Sequence, residues 1–391
     1  MGMTDPVLGT FVAITAAAAL APLLADGVQR WIRIPSVVLE ILLGILIGPA
    51  LLGWAAQGTV VDAISDFGLA MLMFLAGYEI DFQRVKGSPL KRAVQGWAVS
   101  LALGLGAGLL LRGATFSGLV VGLALTTTAL GTTLPMVRDA GLLPTGFGAR
   151  VLAVGALGEF GPILAVAILL TDDHPVRTIV LIVLFAVIAL LGAWAAMRPR
   201  PPKISRMIVE TLGTSAQLAV RLVMLLVVVM LWIADAFGLD VLLGAFSAGI
   251  IIRLAISAAG EEVVETIESK LDGIGYGFLI PFFFVMSGVK FDLEALIDEP
   301  VTLLTIPVVL VLFLLVRGAP THLLNRDDPR RVPLALFASS ALPLVVVITG
   351  IGVDSGDLKP SIAAAMIAAG MLSVLIYPLI ALKRLRVASD G

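Results

Sequence analysis

The sequence predicts an all-α polytopic membrane protein with about 13 transmembrane helices, and three observations favour this class. The chain of 391 residues is 59% hydrophobic and only 14% charged, whereas soluble domains carry about 25% charged residues. Its apolar segments approach about 20 residues, the length with which a helix crosses a bilayer while satisfying its own backbone groups. Lysine and arginine residues fall mainly into alternate loops.

The apolar spans follow one another along the whole chain, separated by short segments rich in charged residues, glycine and proline. In order, they cover residues 8–27, 35–54, 62–79, 93–111, 115–137, 148–170, 177–197, 217–236, 239–255, 271–289, 301–324, 331–352 and 360–382. The 40 glycines suit helix packing in lipid, where small residues let backbones approach closely. Because no basic residue precedes the first span, we expect no cleaved signal peptide.

The distribution of positive charge predicts the orientation of the spans. Loops after even-numbered spans hold only Arg112, Arg177, Lys290 and Lys359, and loops after odd-numbered spans hold most of the other basic residues. Because cytoplasmic loops carry the excess of lysine and arginine, the N-terminus is expected outside and the C-terminus in the cytoplasm. We therefore expect a multi-pass protein of the cell membrane, plasma or inner.

Two pairs of similar segments indicate an internal repeat. The segment LMFLAGYEIDFQRV in span 3 resembles FFFVMSGVKFDLEAL in span 10, with Gly77 matching Gly288. Just before each lies a second pair, LLGILIGP from Leu42 and SAGIIIR from Ser247. Two six-span halves joined by span 7 have opposite orientations, which is the inverted-repeat plan of many secondary transporters. Chance similarity between apolar segments is the alternative.

The repeat sets the predicted domain organisation. Residues 1–197 form the first repeat with its linking helix, residues 198–216 a cytoplasmic linker, and residues 217–391 the second repeat, with no soluble domain. The linker is rich in proline and basic residues and is expected to lie along the cytoplasmic surface.

Spans 5 and 12, which occupy equivalent places in the two halves, are predicted to be discontinuous. Threonine, serine, glycine and proline weaken a helix, and an unwound segment frees backbone carbonyls to face a cavity or an ion. The alternative is a continuous helix in which hydroxyl groups bond back to the preceding turn. The residues concerned are Thr126, Thr127, Thr128, Gly131, Thr132 and Pro135 in span 5, and Ser339, Ser340 and Pro343 in span 12.

Two charged residues fall deep within apolar spans. Glu159 lies near the middle of the run 148–170, and Arg317 lies in the run 301–324. A charge at the centre of a membrane helix costs about 2.5–3.5 kcal/mol on insertion scales, so such residues usually mark a ligand path. The alternative is a structural ion pair that joins two helices.

The threonine cluster and Glu159 lie in consecutive spans and are expected to face each other. A carboxylate in a low-dielectric site holds either a proton or a cation near neutral pH, which is sufficient for exchange. Thr126, Thr127, Thr128, Thr132 and nearby carbonyls would supply oxygen ligands to a monovalent cation. Arg317 keeps its charge and would balance either Glu159 or the C-terminal end of the half-helix in span 12.

Other candidate sites are weaker. Glu40, Asp66, Glu79 and Asp235 are expected to be structural or peripheral. The chain has no Walker A loop, so ATP-driven pumping is not expected. Nothing in the sequence predicts an enzyme or a resident cofactor. A nucleic-acid partner is not expected either, because the positions of the basic residues follow from the membrane topology.

Five motifs together resemble those of the cation:proton antiporter-2 family, which includes sodium/proton and Kef-type potassium/proton exchangers. They are IPSVVLEILLGILIGP from Ile34, GLAMLMFLAGYEID from Gly68, TTTALGTTLPMVRDAG from Thr126, LGAFSAGIIIR from Leu243 and FFFVMSGVKFDL from Phe282. The resemblance covers essentially the whole chain. It implies a thirteen-helix inverted-repeat fold, a homodimer, and crossed unwound helices at the ion site.

The resemblance also implies roles for particular residues. It assigns the ion-binding carboxylate to Glu159 and the basic residue of span 11 to Arg317. This chain departs from the family pattern in two ways: the acid is glutamate where aspartate is usual, and Gly158 stands where a second acid or an amide is common. With one titrating carboxylate, we expect electroneutral exchange of Na⁺ or K⁺ for a proton by alternating access. A non-transporting sensor or accessory subunit, and an organic-anion symporter, are the alternatives.

Overall fold

The structure is a computed structural model that describes residues 6–28, 36–80, 86–170, 175–196, 207, 210, 211, 214, 216–256, 261–298 and 300–387. The helices of the first half are α1 (Pro6–Val28), α2 (Ser36–Ile47), α3 (Thr59–Tyr78), α4 (Ser88–Arg112), α5 (Phe116–Ala124), α6 (Leu130–Asp139), α7 (Gly146–Leu169) and α8 (Pro175–Ala196).

The second half continues with a similar series, in which two spans contain a π-helical turn. Its helices are α9 (Leu218–Ala236), α10 (Val241–Ile256), α11 (Glu261–Ile274), α12 (Ile280–Val289), α13 (Leu293–Asp298), α14 (Pro300–Leu303), α15 (Thr305–Phe313), α16 (Ala319–Leu324), α17 (Arg331–Ala338), α18 (Pro343–Asp354) and α19 (Pro360–Val387). The π-helical turns are Gly275–Leu279, between α11 and α12, and Leu314–Gly318, between α15 and α16.

The predicted fold class is confirmed. In the described part of the chain, 9 helical segments are long and apolar enough to cross a membrane, and 3 shorter apolar helices accompany them. The interrupted pair α5–α6 accounts for the one predicted span that these two groups leave out. Each predicted span therefore has a helical counterpart, and spans 5 and 12 are the discontinuous ones.

Span 2 is shorter than its hydropathy predicts. The apolar run continues to residue 54, but α2 ends at Ile47, and the chain then turns back on itself. Gly53 adopts a φ of 64°, and the Trp54 amide donates to the Ile47 carbonyl at 2.9 Å. Pro49 and Gly53 favour this turn because proline disfavours a helical residue before it and glycine tolerates a positive φ.

The chain divides into two compact units, each of which takes helices from both halves of the sequence. The first comprises residues 1–62, 82–170 and 284–391, and the second comprises residues 63–81 and 171–283. These units describe local compactness and do not test the predicted division into residues 1–197, 198–216 and 217–391. Most of the predicted linker lies outside the described residues.

Close backbone contacts at glycines hold the helices of each unit together. In the first unit, a Cβ atom added at Gly108 of α4 would collide with the carbonyl oxygen of Gly118 in α5. In the second, a Cβ atom at Gly77 of α3 would collide with the carbonyl oxygen of Phe246 in α10. Such contacts replace the hydrophobic driving force that is missing between helices in lipid.

Two glycines in one helix provide a matched test of this packing. Gly108→Ala is expected to destabilise the protein by about 1–3 kcal/mol, because a rigid backbone oxygen occupies the site of the new methyl group. Gly106→Ala, in the same helix, meets no atom within 4 Å and should be neutral or stabilising by up to about 1 kcal/mol, since alanine favours helix. Thermal unfolding of both variants in detergent measures the difference, and equal melting temperatures would contradict the prediction.

Candidate functional site

The site is built where the two discontinuous helices cross within the first unit. In span 5 the chain leaves α5 at Ala124 and re-enters helix at Leu130, and in span 12 it leaves α17 at Ala338 and re-enters at Pro343. The two unwound segments touch, because the Ala129 amide donates to the Ser340 carbonyl at 2.6 Å. The continuous-helix alternative is therefore wrong for both spans.

The two breaks have different local causes. Pro343 opens α18 at a position where its missing N–H is not needed, and Leu342 before it lies outside the helical region, with φ −151°. In span 5 no proline stands at the break, because Pro135 lies inside α6 and Gly131 lies in the first turn of α6. Tertiary hydrogen bonds stabilise this break instead.

Glu159 caps the half-helix that follows the first break. Its side chain is 3% exposed in the middle of α7, and its Oε1 accepts hydrogen bonds from the Leu130 amide at 2.9 Å and the Gly131 amide at 3.3 Å. These amides belong to the first turn of α6, where a helix has no internal acceptors and carries partial positive charge. The half-helix end therefore stabilises negative charge on Glu159.

The second carboxylate oxygen of Glu159 has a different environment. Oε2 is fully buried, and it has no hydrogen-bond partner in the described part of the chain. A buried polar atom without a partner is costly, so this oxygen is the atom of the site that gains most from binding a proton or a cation.

Glycines and a proline in α7 let the unwound segment lie directly on this helix. Pro162 lacks the N–H that would bond the carbonyl of Gly158 one turn earlier. That carbonyl instead accepts a hydrogen bond from the Thr128 amide at 2.9 Å. A Cβ atom at Gly158 would collide with Thr128 and lie 2.6 Å from Arg317 Nη2, so only glycine permits this approach.

Arg317 is a fully buried arginine whose hydrogen-bond partners are all neutral. It is 1% exposed and lies in the π-helical turn of span 11. Its Nε donates to Thr128 Oγ1 at 2.9 Å, its Nη2 to the Val154 carbonyl at 3.1 Å, and its Nη1 to Ser100 Oγ at 3.4 Å. The guanidinium thus connects span 11 with the unwound segment, with α7 and with α4.

Within the described residues, no ion pair joins Arg317 to Glu159. Instead, Thr128 Oγ1 accepts from Arg317 Nε and donates to the carbonyl of Ala338 at 2.6 Å. Ala338 ends α17, where a helix carries partial negative charge. The positive side chain is therefore linked, through one hydroxyl group, to the carbonyl end of the half-helix in span 12.

The other predicted threonines bond back to their own chain. Oγ1 of Thr126 donates to the Leu123 carbonyl at 2.7 Å, and Oγ1 of Thr127 to the Ala124 carbonyl at 2.8 Å. Thr132 donates to the Ala129 carbonyl at 3.1 Å. Back-bonding thus occurs beside an interrupted helix, and the lone pairs of these hydroxyl oxygens stay available as acceptors.

The serines of span 12 behave in the same way. Ser339 Oγ donates to the Ala335 carbonyl at 2.8 Å and Ser340 Oγ to the Leu336 carbonyl at 3.4 Å. Both serines are 0% exposed. They therefore satisfy carbonyls at the end of α17, as the threonines do at the end of α5.

Sequence reasoning did not find two serines that support the crossing. Ser100 accepts from Arg317, and Ser373 Oγ of α19 accepts from the Ala341 amide at 2.9 Å. Both serines are 0% exposed. Their only sequence signal is a lone hydroxyl in an apolar span, and such a residue more often bonds back to its own helix.

Comparisons with known proteins give one family and one fold. A family model described as "Sodium/hydrogen exchanger, transmembrane" matches residues 15–383. A structure titled sodium proton antiporter MjNhaP1, from Methanocaldococcus jannaschii, aligns with TM-score 0.70 and 18% identity over 97% of this chain and 99% of that one.

Curated relatives are similar over most of this chain. The Na(+)/H(+)-K(+) antiporter GerN of Bacillus cereus is 26% identical over 88% of this chain and 88% of its own length. The Na(+)/H(+) antiporter of Enterococcus hirae is 24% identical over 95% of this chain and 97% of its own length. The putative Na(+)/H(+) antiporter YjbQ of Bacillus subtilis is 27% identical over 96% of this chain, which spans 63% of that relative's length.

Proposed function

The chain belongs to the transmembrane sodium/hydrogen exchanger family, and from this premise we propose that it exchanges Na⁺ or K⁺ for a proton across the membrane. The observation that carries the proposal is the environment of Glu159. One of its oxygens is held by the amide end of a half-helix, and the other is buried without a partner.

In the proposed mechanism, proton and cation compete for Glu159. A proton on Oε2 neutralises the carboxylate, and so does a cation bound there. The site is therefore neutral when it passes through the low-dielectric interior from one side of the membrane to the other. Arrival of one therefore expels the other. Alternating access, in which the site opens first to one side and then to the other, converts this competition into exchange.

Oxygen atoms around the carboxylate would complete the cation site. Thr126, Thr127 and Thr132 each keep a hydroxyl lone pair while donating to a backbone carbonyl, and hard monovalent cations prefer such neutral oxygen ligands. Thr128 already donates and accepts, so its hydroxyl positions Arg317 and α17 better than it serves a cation.

The setting of the proposed exchanger follows from charge placement and from the family. We propose the cell membrane as its location, with the N-terminus outside and the C-terminus in the cytoplasm, because basic residues alternate between loops as the positive-inside rule requires. We also propose a homodimer.

The Glu159 site predicts electroneutral exchange. One carboxylate releases one proton for each cation that it binds, and Arg317 keeps its charge throughout. Reconstituted protein with a pH dye inside the vesicles should report proton flux when Na⁺ or K⁺ is added outside, with no dependence on membrane voltage. A voltage-dependent flux, or a ratio other than one to one, would contradict the stoichiometry. No flux with Na⁺, K⁺ or Li⁺, in correctly folded protein, would favour a sensor or accessory role.

Thr128 provides a test of how the site is held. Thr128→Val keeps the side-chain shape but removes both hydrogen bonds, leaving Arg317 Nε and the Ala338 carbonyl without their partner. We expect a loss of about 1–3 kcal/mol of stability, as for other unsatisfied buried groups, and a marked loss of exchange. Thr128→Ser retains the hydroxyl and should restore both. If Val and Ser variants behave alike, the hydroxyl has no positioning role.

A further inference from the structure

An apolar groove runs along the surface of the first unit between spans 11 and 12. One wall is formed by residues of the π-helical turn and α16, and the other by residues of α17; its volume is about 290 Å³. We call it the α16–α17 groove. Its lining residues are Leu314, Gly318, Ala319, His322 and Leu323 on one wall, and Val332, Ala335 and Leu336 on the other.

The longer wall of the groove has about the length of one leaflet of the hydrocarbon core. From Leu314 to Leu323 its wall measures about 14 Å, at 1.5 Å per residue, and one leaflet of the hydrocarbon core is about 15 Å thick. Leu315 and Leu323 on the same segment are 54% and 51% exposed, as expected of a surface that faces hydrocarbon. Near the middle of this wall, a Cβ atom at Gly318 would lie 2.6 Å from Ser339 Oγ, so the two helices are in close contact at the floor of the groove.

The other end of the groove meets a cluster of positive charge. His322 and Leu323 lie in the last turn of α16, and Val332 lies in the first turn of α17. Arg326 lies in the loop that connects these turns, and Arg331 is the first residue of α17. Neither arginine takes part in an ion pair with any described residue.

The acidic residues of the same loop are already engaged. Asp327 pairs with Arg92 of α4, and this hydrogen bond holds the pKa of Asp327 below its usual range. Asp328 pairs with Arg150 of α7 and accepts from the Arg330 amide at 2.8 Å. Consequently, neither aspartate neutralises the two unpaired arginines.

We propose that the α16–α17 groove binds one anionic phospholipid, with an acyl chain between the helices and the phosphate on Arg326 and Arg331. Basic pockets between membrane helices are known to hold anionic head groups. The apolar walls contact the acyl chain, and the two arginines bind the negatively charged head group. The site therefore selects an anionic lipid over a zwitterionic one. A lipid bound in the groove lies between spans 11 and 12, close to the unwound segment of span 12.

The test is lipid binding by the purified, delipidated full chain, measured by native mass spectrometry and thermal unfolding. Phosphatidylglycerol should bind and raise the melting temperature more than phosphatidylcholine does. Arg326→Gln/Arg331→Gln should weaken phosphatidylglycerol binding about 30-fold, at roughly fivefold per arginine. Ala319→Leu, which fills the groove, should abolish the extra lipid and its thermal shift, while glycerol phosphate should produce no shift.

Two control variants keep the outcome decisive. Lys383→Gln/Arg384→Gln removes two exposed charges at the end of α19, and Ala186→Leu adds the same bulk at an exposed position of α8; both should bind lipid like the parent protein. Equal binding of both lipids, or equal losses in test and control variants, would overturn the proposal. So would a change of oligomeric state in Ala319→Leu with lipid binding unchanged, because the groove would then accommodate a second copy of the chain.

Discussion

Glu159→Gln is expected to reduce cation/proton exchange to the background of protein-free vesicles while leaving the protein folded. Glutamine keeps a carbonyl oxygen that accepts from the Leu130 and Gly131 amides, so the cap of α6 survives. Each of the two charge-assisted hydrogen bonds weakens by about 1 kcal/mol. The variant has no group at Oε2 that binds a proton or a cation, so neither substrate can be carried.

The measurement is dye-reported proton flux in proteoliposomes, together with elution of the variant from size-exclusion chromatography. Glu40→Gln is the matched control, because Glu40 is also a buried acid, 4% exposed in α2, but it makes none of the contacts of the site. It should retain exchange. Flux in Glu159→Gln equal to that of the parent protein would remove the basis of the proposed mechanism.

Arg317→Gln is expected to lower exchange roughly tenfold, which corresponds to about 1.4 kcal/mol, within the range for a charge at a partly buried helix end. The substitution removes the positive charge linked to the carbonyl end of α17. It also removes the guanidinium N–H groups that donate hydrogen bonds to Thr128 Oγ1 and to the Val154 carbonyl. Arg317→Lys keeps the charge but cannot reproduce the planar fork that serves three helical segments, so an intermediate rate is expected.

The stability of these variants separates two roles for Arg317. A purely structural arginine would lower the melting temperature in proportion to the loss of exchange. Because burying an arginine among neutral groups is itself costly, its removal also relieves a desolvation penalty, and the change in melting temperature should be small. Loss of exchange with unchanged melting temperature would support a role in transport; full exchange in Arg317→Gln would rule one out.

Local features of the sequence predicted the elements of the site well. Threonine, serine and glycine content identified spans 5 and 12 as discontinuous, and the apolar surroundings of Glu159 and Arg317 identified both as deeply buried. Such features act within a few residues and can be read without knowing the fold. Span 2 shows the limit, because hydropathy does not distinguish a helix from an apolar turn, and α2 ended at Ile47.

The sequence did not predict which partner each buried group would meet. The sequence left two partners open for Arg317, Glu159 or the C-terminal end of the half-helix in span 12, and the structure links Arg317 through Thr128 to the second of these. It also did not predict that Pro162 would free the Gly158 carbonyl for the Thr128 amide. These outcomes depend on the rotation of each helix about its own axis. A helix that is apolar on nearly all sides has no periodic pattern from which this rotation can be predicted.

By itself, the sequence determined the membrane class, the number of spans and the burial of one acid and one base. These properties follow from hydropathy, length and backbone propensity, which are local. Only the tertiary structure decided that Glu159 caps α6 with one oxygen and leaves the other unpaired, and that Arg317 bonds to neutral groups. Those contacts join residues up to 217 positions apart in the sequence. Differences of a few tenths of an ångström in the packing of the helices decide which groups form them.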